Sequence, residues 1–594
     1  MLSDTNALLN QVTLPGPDSY VVFEYANRQF CRETTIMDTQ RFCTLVIATL
    51  FFATATVQAG TWTPLAHQPT FMNPPSQCAA YPNANCAPAG NPSQGGPLNV
   101  TLLTDGSVLF EAVVVDDNLA GRWLEYRLIP DEFGSYVNGT WQQAASVPNA
   151  LSSTNPNGWG PYGFASAVLP DGRVIYEGGE YNGYAFALSS RGGIYDPVQD
   201  SWTPVSPPHF DNLYPAVPPY PRYPAPFTSQ LVDAIGDSQS VVLPNGTFML
   251  ASKLSKQQAL LDPKTLTWTM TGTNKADVNS EEGWTLLPNG KVLTVDVELD
   301  YWFGLTPQYT PGNSELYDPE TGSWTSAGNT VTVLTSFPSG EIGPAVLMPN
   351  GVVFAMGNSG QTAFYDSSRN QWSAGPTYPS VSIDGQEHQF DSADTAAAPL
   401  PTGNILISAL TSPDDSLTYA KFFEFDGHDF IAEPDIPDSP FGLPISMLVL
   451  PSGQILEFDT DTDIEIFNPT ARGDNQRDDD RPWYAPAVIE VPHVVSPGKT
   501  YSVRGVYLNG VSQGAMEGDD WQTATNYPLV RITNRLTHHV FYSRTHDFSS
   551  MAVANHHPVT ALFDVPANQE NGPSLLEVVT NGVASKPIEV LVNH

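Results

Sequence analysis

The sequence predicts an all-β fold, a seven-bladed β-propeller followed by a small C-terminal β-sandwich. Three observations carry this reading. A glycine turn recurs seven times between apolar stretches, an Asp-to-Trp spacing of six recurs four times in phase with it, and the strand rhythm changes after about residue 485. Composition agrees: 46 Gly and 54 Pro among 594 residues suit many short strands joined by turns, and 41% hydrophobic content is too apolar for a disordered chain. Acids outnumber bases 62 to 24, for a net charge of −38. Such a balance excludes nucleic acid as a default partner, because phosphate binding needs clustered Lys and Arg.

The elements follow in order. Residues 1–36 share no logic with the rest and read as a non-native upstream extension, with translation starting at Met37. Residues 37–59 read as a secretory signal peptide: Arg41 lies in a short polar head, an apolar run starts at Phe42, and Val57-Gln58-Ala59 forms a small-x-Ala cleavage pattern before Gly60. The apolar run is short for a membrane span of ~20 residues, so no transmembrane segment is expected. The mature protein is therefore expected to be secreted, extracellular or periplasmic. Cys31 and Cys43 fall ahead of the cleavage point, which leaves Cys78 and Cys86 to form one local disulfide in an oxidising compartment. A zinc site would want further Cys or His close by, and none is there. Asn99, Asn138 and Asn245 head glycosylation sequons.

Residues 60–485 carry the repeats. The turn glycines are Gly106, Gly172, Gly246, Gly290, Gly351, Gly403 and Gly453, each preceded by Asp, Asn, Thr or Ser and flanked by apolar runs such as ASAVLPDGRVIYEGG. This is the pattern of two strands joined by a tight turn. Asp196 precedes Trp202, Asp262 precedes Trp268, Asp318 precedes Trp324 and Asp366 precedes Trp372, always by six. Four strands per unit, with the glycine turn inside and the tryptophan on the outermost strand, define a kelch-type blade. The seventh unit reaches Phe467-Asn468-Pro469 without a tryptophan strand, while Gly60-Thr61-Trp62-Thr63-Pro64 repeats the motif of Ser201-Trp202-Thr203-Pro204. The N-terminal strand around Trp62 is therefore expected to close blade seven and remove the open seam.

The acidic, Pro-containing stretch from Gly473 to Pro486 marks a boundary. Residues 486–594 then offer about seven short strands, including TYSVRGVYL, PLVRIT and VTALFDVP, which suit a small immunoglobulin-like sandwich.

A secretory signal, seven kelch blades closed by an N-terminal strand, and a C-terminal sandwich with a VR…TH segment resemble the galactose oxidase and glyoxal oxidase superfamily over residues 60–594. The resemblance implies an E-set type C-terminal domain and one copper held by two tyrosines and two histidines, with one tyrosine thioether-linked to a cysteine. Copper is thus the cofactor this likeness implies, and oxidation of alcohols or aldehydes the activity. Counting back nine residues from each turn glycine gives the inner-strand positions where the family places its ligands: Pro97, Gly163, Asp237, Glu281, Ile342, Asp394 and Pro444. None is a cysteine, and Leu443-Pro444-Ile445 stands where the family has Tyr-His-Ser. Tyr162 lies one position from a ligand slot, and is either a displaced ligand or loop packing. The C-terminal histidine has a match only in Thr537-His538-His539. A tyrosyl-copper centre needs its full ligand set, so none is expected here.

What remains at the mouth is acidic. Asp237, Glu281 and Asp394 fall on three blades at one level, with Glu282 and Asp391 close by, where they either surround a cation or a cationic or polyhydroxylated ligand or are solvated mouth residues. His538, His539 and His546 either reach over these carboxylates to complete a metal or acid-base site, or decorate loops beside an Arg544–Asp547 ion pair. Asp459, Asp461 and Asp463, with Asp478, Asp479 and Asp480, offer calcium ligands or solvated acidic turns, without the glycine and glutamate of an EF-hand loop. The expectation is a monomeric, secreted, non-oxidase protein that binds a carbohydrate or another surface ligand at the propeller mouth. The alternative is a copper oxidase with displaced ligands, or another metal- or carboxylate-dependent enzyme at the same mouth.

Overall fold

A computed structural model describes residues 59–593 except 70–95, 116–120, 211–234, 298–311, 336–341, 412–419, 437–445, 459–462, 471–480, 519–520 and the single positions 184, 187, 254, 277, 280, 384 and 394. Cys78, Cys86, Asp394, the signal segment and most of both acidic runs lie outside the described residues. Gln58–His594 forms one compact unit.

The described residues are all-β, without helices, in a multi-blade propeller arrangement. Six four-stranded antiparallel sheets follow one another. Their innermost strands are Gly96–Leu102, Ala165–Val168, Ser240–Val242, Trp284–Leu286, Ile342–Leu347 and Ser446–Val449. A further run, Ala397–Pro399, Ile405–Thr411, Ala420–Phe425 and Phe430–Ala432, pairs in the same order inside a larger sheet. The innermost strands are made of apolar and small residues with scarcely any exposure, because both faces meet neighbouring sheets. Each innermost strand packs beside the next, Ala397–Pro399 included, and Ser446–Val449 lies against Gly96–Leu102, so the ring closes.

The glycine turns have a common physical cause. All seven glycines sit in the left-handed region, from φ +80° at Gly106 to +91° at Gly403, where a Cβ is disfavoured. At each, the glycine N–H donates to the carbonyl three residues back, as in Gly172 to Leu169 at 2.9 Å. The preceding Asp or Asn accepts from the backbone two residues on, as Asp171 Oδ1 does from Arg173 N at 3.1 Å and Asn289 Oδ1 does from Lys291 N at 3.0 Å. The Asp-to-Trp spacing is equally local: the fourth residue after each Asp takes positive φ, at Asp200 (47°), Leu266 (53°), Gly322 (65°) and Asn370 (52°). That turn places Tyr195 opposite Trp202, Tyr317 opposite Trp324 and Tyr365 opposite Trp372 across the outer strand pair, with ring centroids 5.1–5.4 Å apart.

Thr61–Pro64 pairs antiparallel with Ile464–Asn468, setting Trp62 opposite Phe467. The Trp62 ring packs on Phe422 and Phe467, and its Nε1–H donates to the Pro434 carbonyl at 2.7 Å. The N-terminal strand thus completes the last four-stranded sheet, as the sequence motif requires.

From Ala487 onward, nine strands pair as one hydrogen-bonded array. Val540–His546 joins its two halves, pairing through residues 540–543 with Leu529–Asn534 and through 544–546 with Val559–Asp564. One hairpin leaves this array: Gly514–Glu517 and Trp521–Ala524 pair with each other and, through Met516, with Ala397 of the propeller ring.

Candidate functional site

The departing hairpin decides which end of the propeller can act. It runs among the innermost strands and hydrogen-bonds several in turn. Ser240 N and Oγ donate to Gln522 Oε1 at 3.0 and 2.8 Å, Ser166 Oγ to the Gln522 carbonyl at 3.2 Å, and Thr523 Oγ1 to the Met447 carbonyl at 2.7 Å. Leu286 N donates to Gln513 Oε1 at 2.5 Å, and Trp521 Nε1 to the Leu98 carbonyl at 2.9 Å. Small residues allow this fit. A Cβ on Gly518 would lie 2.7 Å from the Ile342 carbonyl oxygen, and one on Gly514 would lie 2.7 Å from the Thr523 carbonyl oxygen. The centre of the ring is therefore occupied by polypeptide, and the hairpin tip lies where the innermost strands begin.

The opposite end of those strands is covered. Phe548 N donates to the Pro170 carbonyl at 3.0 Å, Met551 N to Pro244 at 3.0 Å, Thr545 N to Thr104 at 3.2 Å, and Arg544 Nη2 to Asp171 at 2.8 Å. All four acceptors belong to glycine turns, so the C-terminal array is seated on the turn end. The mouth at the hairpin tip is the remaining face of the ring.

Two predicted mouth residues meet there. Asp237 and Glu281 both pair with Lys253 Nζ, the Glu281 contact at 2.7 Å, and Asp237 and Lys253 are buried. The cation between these carboxylates is the chain's own ammonium. Burial pushes the Asp237 carboxyl up, Lys253 pulls it back, and Glu281 adds to the rise. Glu281 takes φ +52°, a left-handed geometry uncommon for a residue with a side chain. Beside it, Lys275 Nζ reaches Glu282 at 2.8 Å, Glu315 at 2.9 Å and Asp296 at 3.4 Å, all buried, and lies 5.4 Å from the Trp324 ring centroid. Neither lysine was singled out from the sequence. In a chain with 24 basic residues among 594, a lysine seven positions after a turn glycine, as Lys253 is after Gly246, is the signal that points to it.

Tyr162 is a mouth residue by contact. Its ring lies 5.5 Å from Trp521 at the hairpin tip and 5.6 Å from Tyr181, both edge-on, and Tyr162 and Tyr181 are half-buried. Gly179 N donates to the Gly236 carbonyl at 2.8 Å, which places this aromatic run next to Asp237.

The histidines do not join this group. His538 and His539 sit in the turn between Leu529–Asn534 and Val540–His546, where His539 Nδ1 meets Glu570 at 2.7 Å and Val540 N donates to the Glu132 carbonyl at 2.8 Å. His546 Nδ1 meets Asp547 at 3.0 Å, and its Nε2 lies 3.3 Å from Asp564. This strand is seated on the turn end of the ring, away from Asp237 and Glu281. Arg544 pairs with Asp564 at 3.3 Å. Among the described residues no group of three or more His, Cys, Asp or Glu has an arrangement that holds a metal. At the mouth, Lys253 stands between the carboxylates, and Trp521 rather than a histidine reaches Tyr162. These residues do not fit a tyrosyl-copper centre.

No family model and no curated protein matches the chain. Among solved structures, the chain is similar to a fungal alcohol oxidase of the AA5 family in complex with copper, at 14% identity over 90% of this chain and all of that one, with a TM-score of 0.42. It is also similar to virginiamycin B lyase from Staphylococcus aureus, at 9% identity over 69% of this chain and 99% of that one (TM-score 0.39). A third likeness is to YCF48 bound to D1 peptide, at 12% identity over 70% and 96% (TM-score 0.36). At such identities and scores these are distant likenesses of arrangement, and what those proteins bind or catalyse stays with them.

Proposed function

We propose that this chain is a secreted binding protein that takes a polyhydroxylated ligand, a carbohydrate, at the propeller mouth. The observation that carries the reading is the Trp521–Tyr162–Tyr181 aromatic run beside the Asp237–Lys253–Glu281 ion cluster. Partly exposed tyrosine rings offer flat apolar faces to sugar rings, and Glu281, the one member of the ion cluster that is not buried, offers its carboxylate to hydroxyls. The run Ala397–Ala432 counts as a seventh blade, and the array after Ala487 as an immunoglobulin-like sandwich in which Val540–His546 passes from one layer to the other.

Export belongs to the same reading. Cleavage between Ala59 and Gly60 converts the Gly60 amide, which donates to buried Glu433 Oε2 at 2.6 Å, into an ammonium facing that carboxylate. N-terminal sequencing of the secreted protein is expected to start at Gly60.

The test of function is a glycan array probed with wild type and Tyr181→Ala, with a thermal melt as the folding control. Binding to a defined glycan set, lost in Tyr181→Ala at unchanged melting temperature, supports the proposal. No binding to any glycan, or equal binding by the variant, overturns it. Peroxide release from alcohols or aldehydes by copper-loaded protein would favour the oxidase instead.

A further inference from the structure

Blade one hides a polar cluster that the mouth does not use. Glu111 on Val108–Val115 and Glu125 on Gly121–Ile129 are directly opposite each other across an antiparallel pair, and Asn99 on Gly96–Leu102 is opposite Glu111 on the other side. Side chains at such positions share one face, with Cβ atoms ~5 Å apart. Glu111 is 0% exposed, Glu125 1% and Asn99 1%. Neither glutamate has a hydrogen-bond partner at either carboxylate oxygen, and both Asn99 amide atoms are unpartnered as well. Thr101 Oγ1 and the hydroxyl of Tyr176, from the neighbouring blade, are buried beside them and near enough to bond each other, and Tyr176 is close enough for both glutamates to act on its hydroxyl. Arg127, two residues after Glu125 on the same strand, is committed to Asp105 and Ser107.

Two buried carboxylates side by side without a counter-charge are among the costliest arrangements a fold can keep. Their surroundings are all oxygen donors: two carboxylates, an amide and two hydroxyls. Hard divalent cations of the calcium class select that set, and −2 from the glutamates matches the charge. We propose that Asn99, Glu111 and Glu125, with Thr101 and Tyr176 beside them, hold one calcium-class divalent cation between the first two blades, where it locks one to the other. The cluster is sealed from solvent, so the ion enters during folding and exchanges slowly.

The test uses the purified full-length protein at pH 8. Elemental analysis after exhaustive dialysis is expected to find one calcium per chain. The melting temperature is expected to fall by several degrees after unfolding and refolding in chelator, and to recover on refolding with calcium chloride. Glu111→Gln/Glu125→Gln keeps the side-chain shapes and removes both charges, so it is expected to fold, to carry no calcium and to melt at the same temperature with calcium or chelator. A wild type without calcium whose melting is indifferent to both treatments overturns the proposal. So does a double variant that folds and still takes up calcium with the wild-type response, since the ion then lies elsewhere. Should the double variant fail to fold, Asn99→Ala replaces it and is expected to weaken calcium binding at least tenfold, an unchanged affinity again overturning the assignment.

Discussion

Replacing Lys253 with methionine tests the electrostatics of the mouth. The methionine keeps most of the stem but deletes the ammonium that pairs with Asp237 and Glu281. Asp237 is 3% exposed, so the substitution leaves a buried carboxylate facing a second one. Breaking a buried pair by removing one partner costs about 3–5 kcal/mol. The cost depends on pH, and the sign follows from Asp237. Burial and Glu281 already push its carboxyl up against the pull of Lys253, and deleting Lys253 pushes it further. A carboxyl raised in the folded state contributes stability that is fully present below its unfolded pKa and lost as pH rises through the folded value. The penalty is therefore larger at pH 8 than at pH 5, where orphaned carboxyls take up protons. Urea titrations of wild type and Lys253→Met at the two pH values measure it, with Lys253→Met/Asp237→Asn expected to recover part of the loss at pH 8. A penalty under about 1 kcal/mol at pH 8, or one independent of pH, would refute the placement of Lys253 between the two carboxylates.

Other predictions follow from single contacts. Trp521→Ala removes a buried indole and its hydrogen bond to Leu98 from the ring centre, and is expected to cost about 3–5 kcal/mol in chemical denaturation. Gly60→Ala places a Cβ 2.2 Å from Phe467 Cζ and is expected to lower the melting temperature by loosening the closing strand, whereas Thr63→Ala on the same strand is expected to do much less. Burial raises the Glu111, Glu125 and Glu177 carboxyls well above their ordinary value near 4.5. Calcium-free protein is therefore expected to lose stability as pH rises above that value, which denaturation midpoints from pH 4 to 8 check. In a glycosylating host, peptide mapping is expected to find sugar on exposed Asn138 or Asn245 and none on Asn99, which is 1% exposed.

The repeats were legible because each is enforced by one local backbone requirement. A turn that needs positive φ selects glycine, its neighbour selects Asp or Asn for the side-chain bond to the backbone, and a left-handed residue four after the Asp fixes where tryptophan falls. The closing strand was legible for the same reason, since Trp62 repeats a motif whose partner is missing elsewhere. The hairpin at Gly514–Ala524 was not. Its residues are small and polar because they thread a narrow ring, so VSQGAMEGDDWQTATN lacks the apolar alternation that announces a strand. At the acidic mouth, position counting singled out Asp237 and Glu281, but charge partnership is a property of three dimensions, and Lys253 and Lys275 arrive from other turns. His538, His539 and His546 sit near one another in sequence, yet their strand lies on the turn end of the ring, a placement that proximity along the chain does not reveal.

The most direct single measurement is the copper content of the purified protein after copper loading, together with its visible absorption spectrum. A mouth built from Lys253 ion pairs and the Trp521 hairpin tip predicts no stoichiometric copper and no tyrosyl-copper band. One copper per chain with that band, both abolished in Tyr162→Phe, would contradict the account and make Tyr162 a ligand.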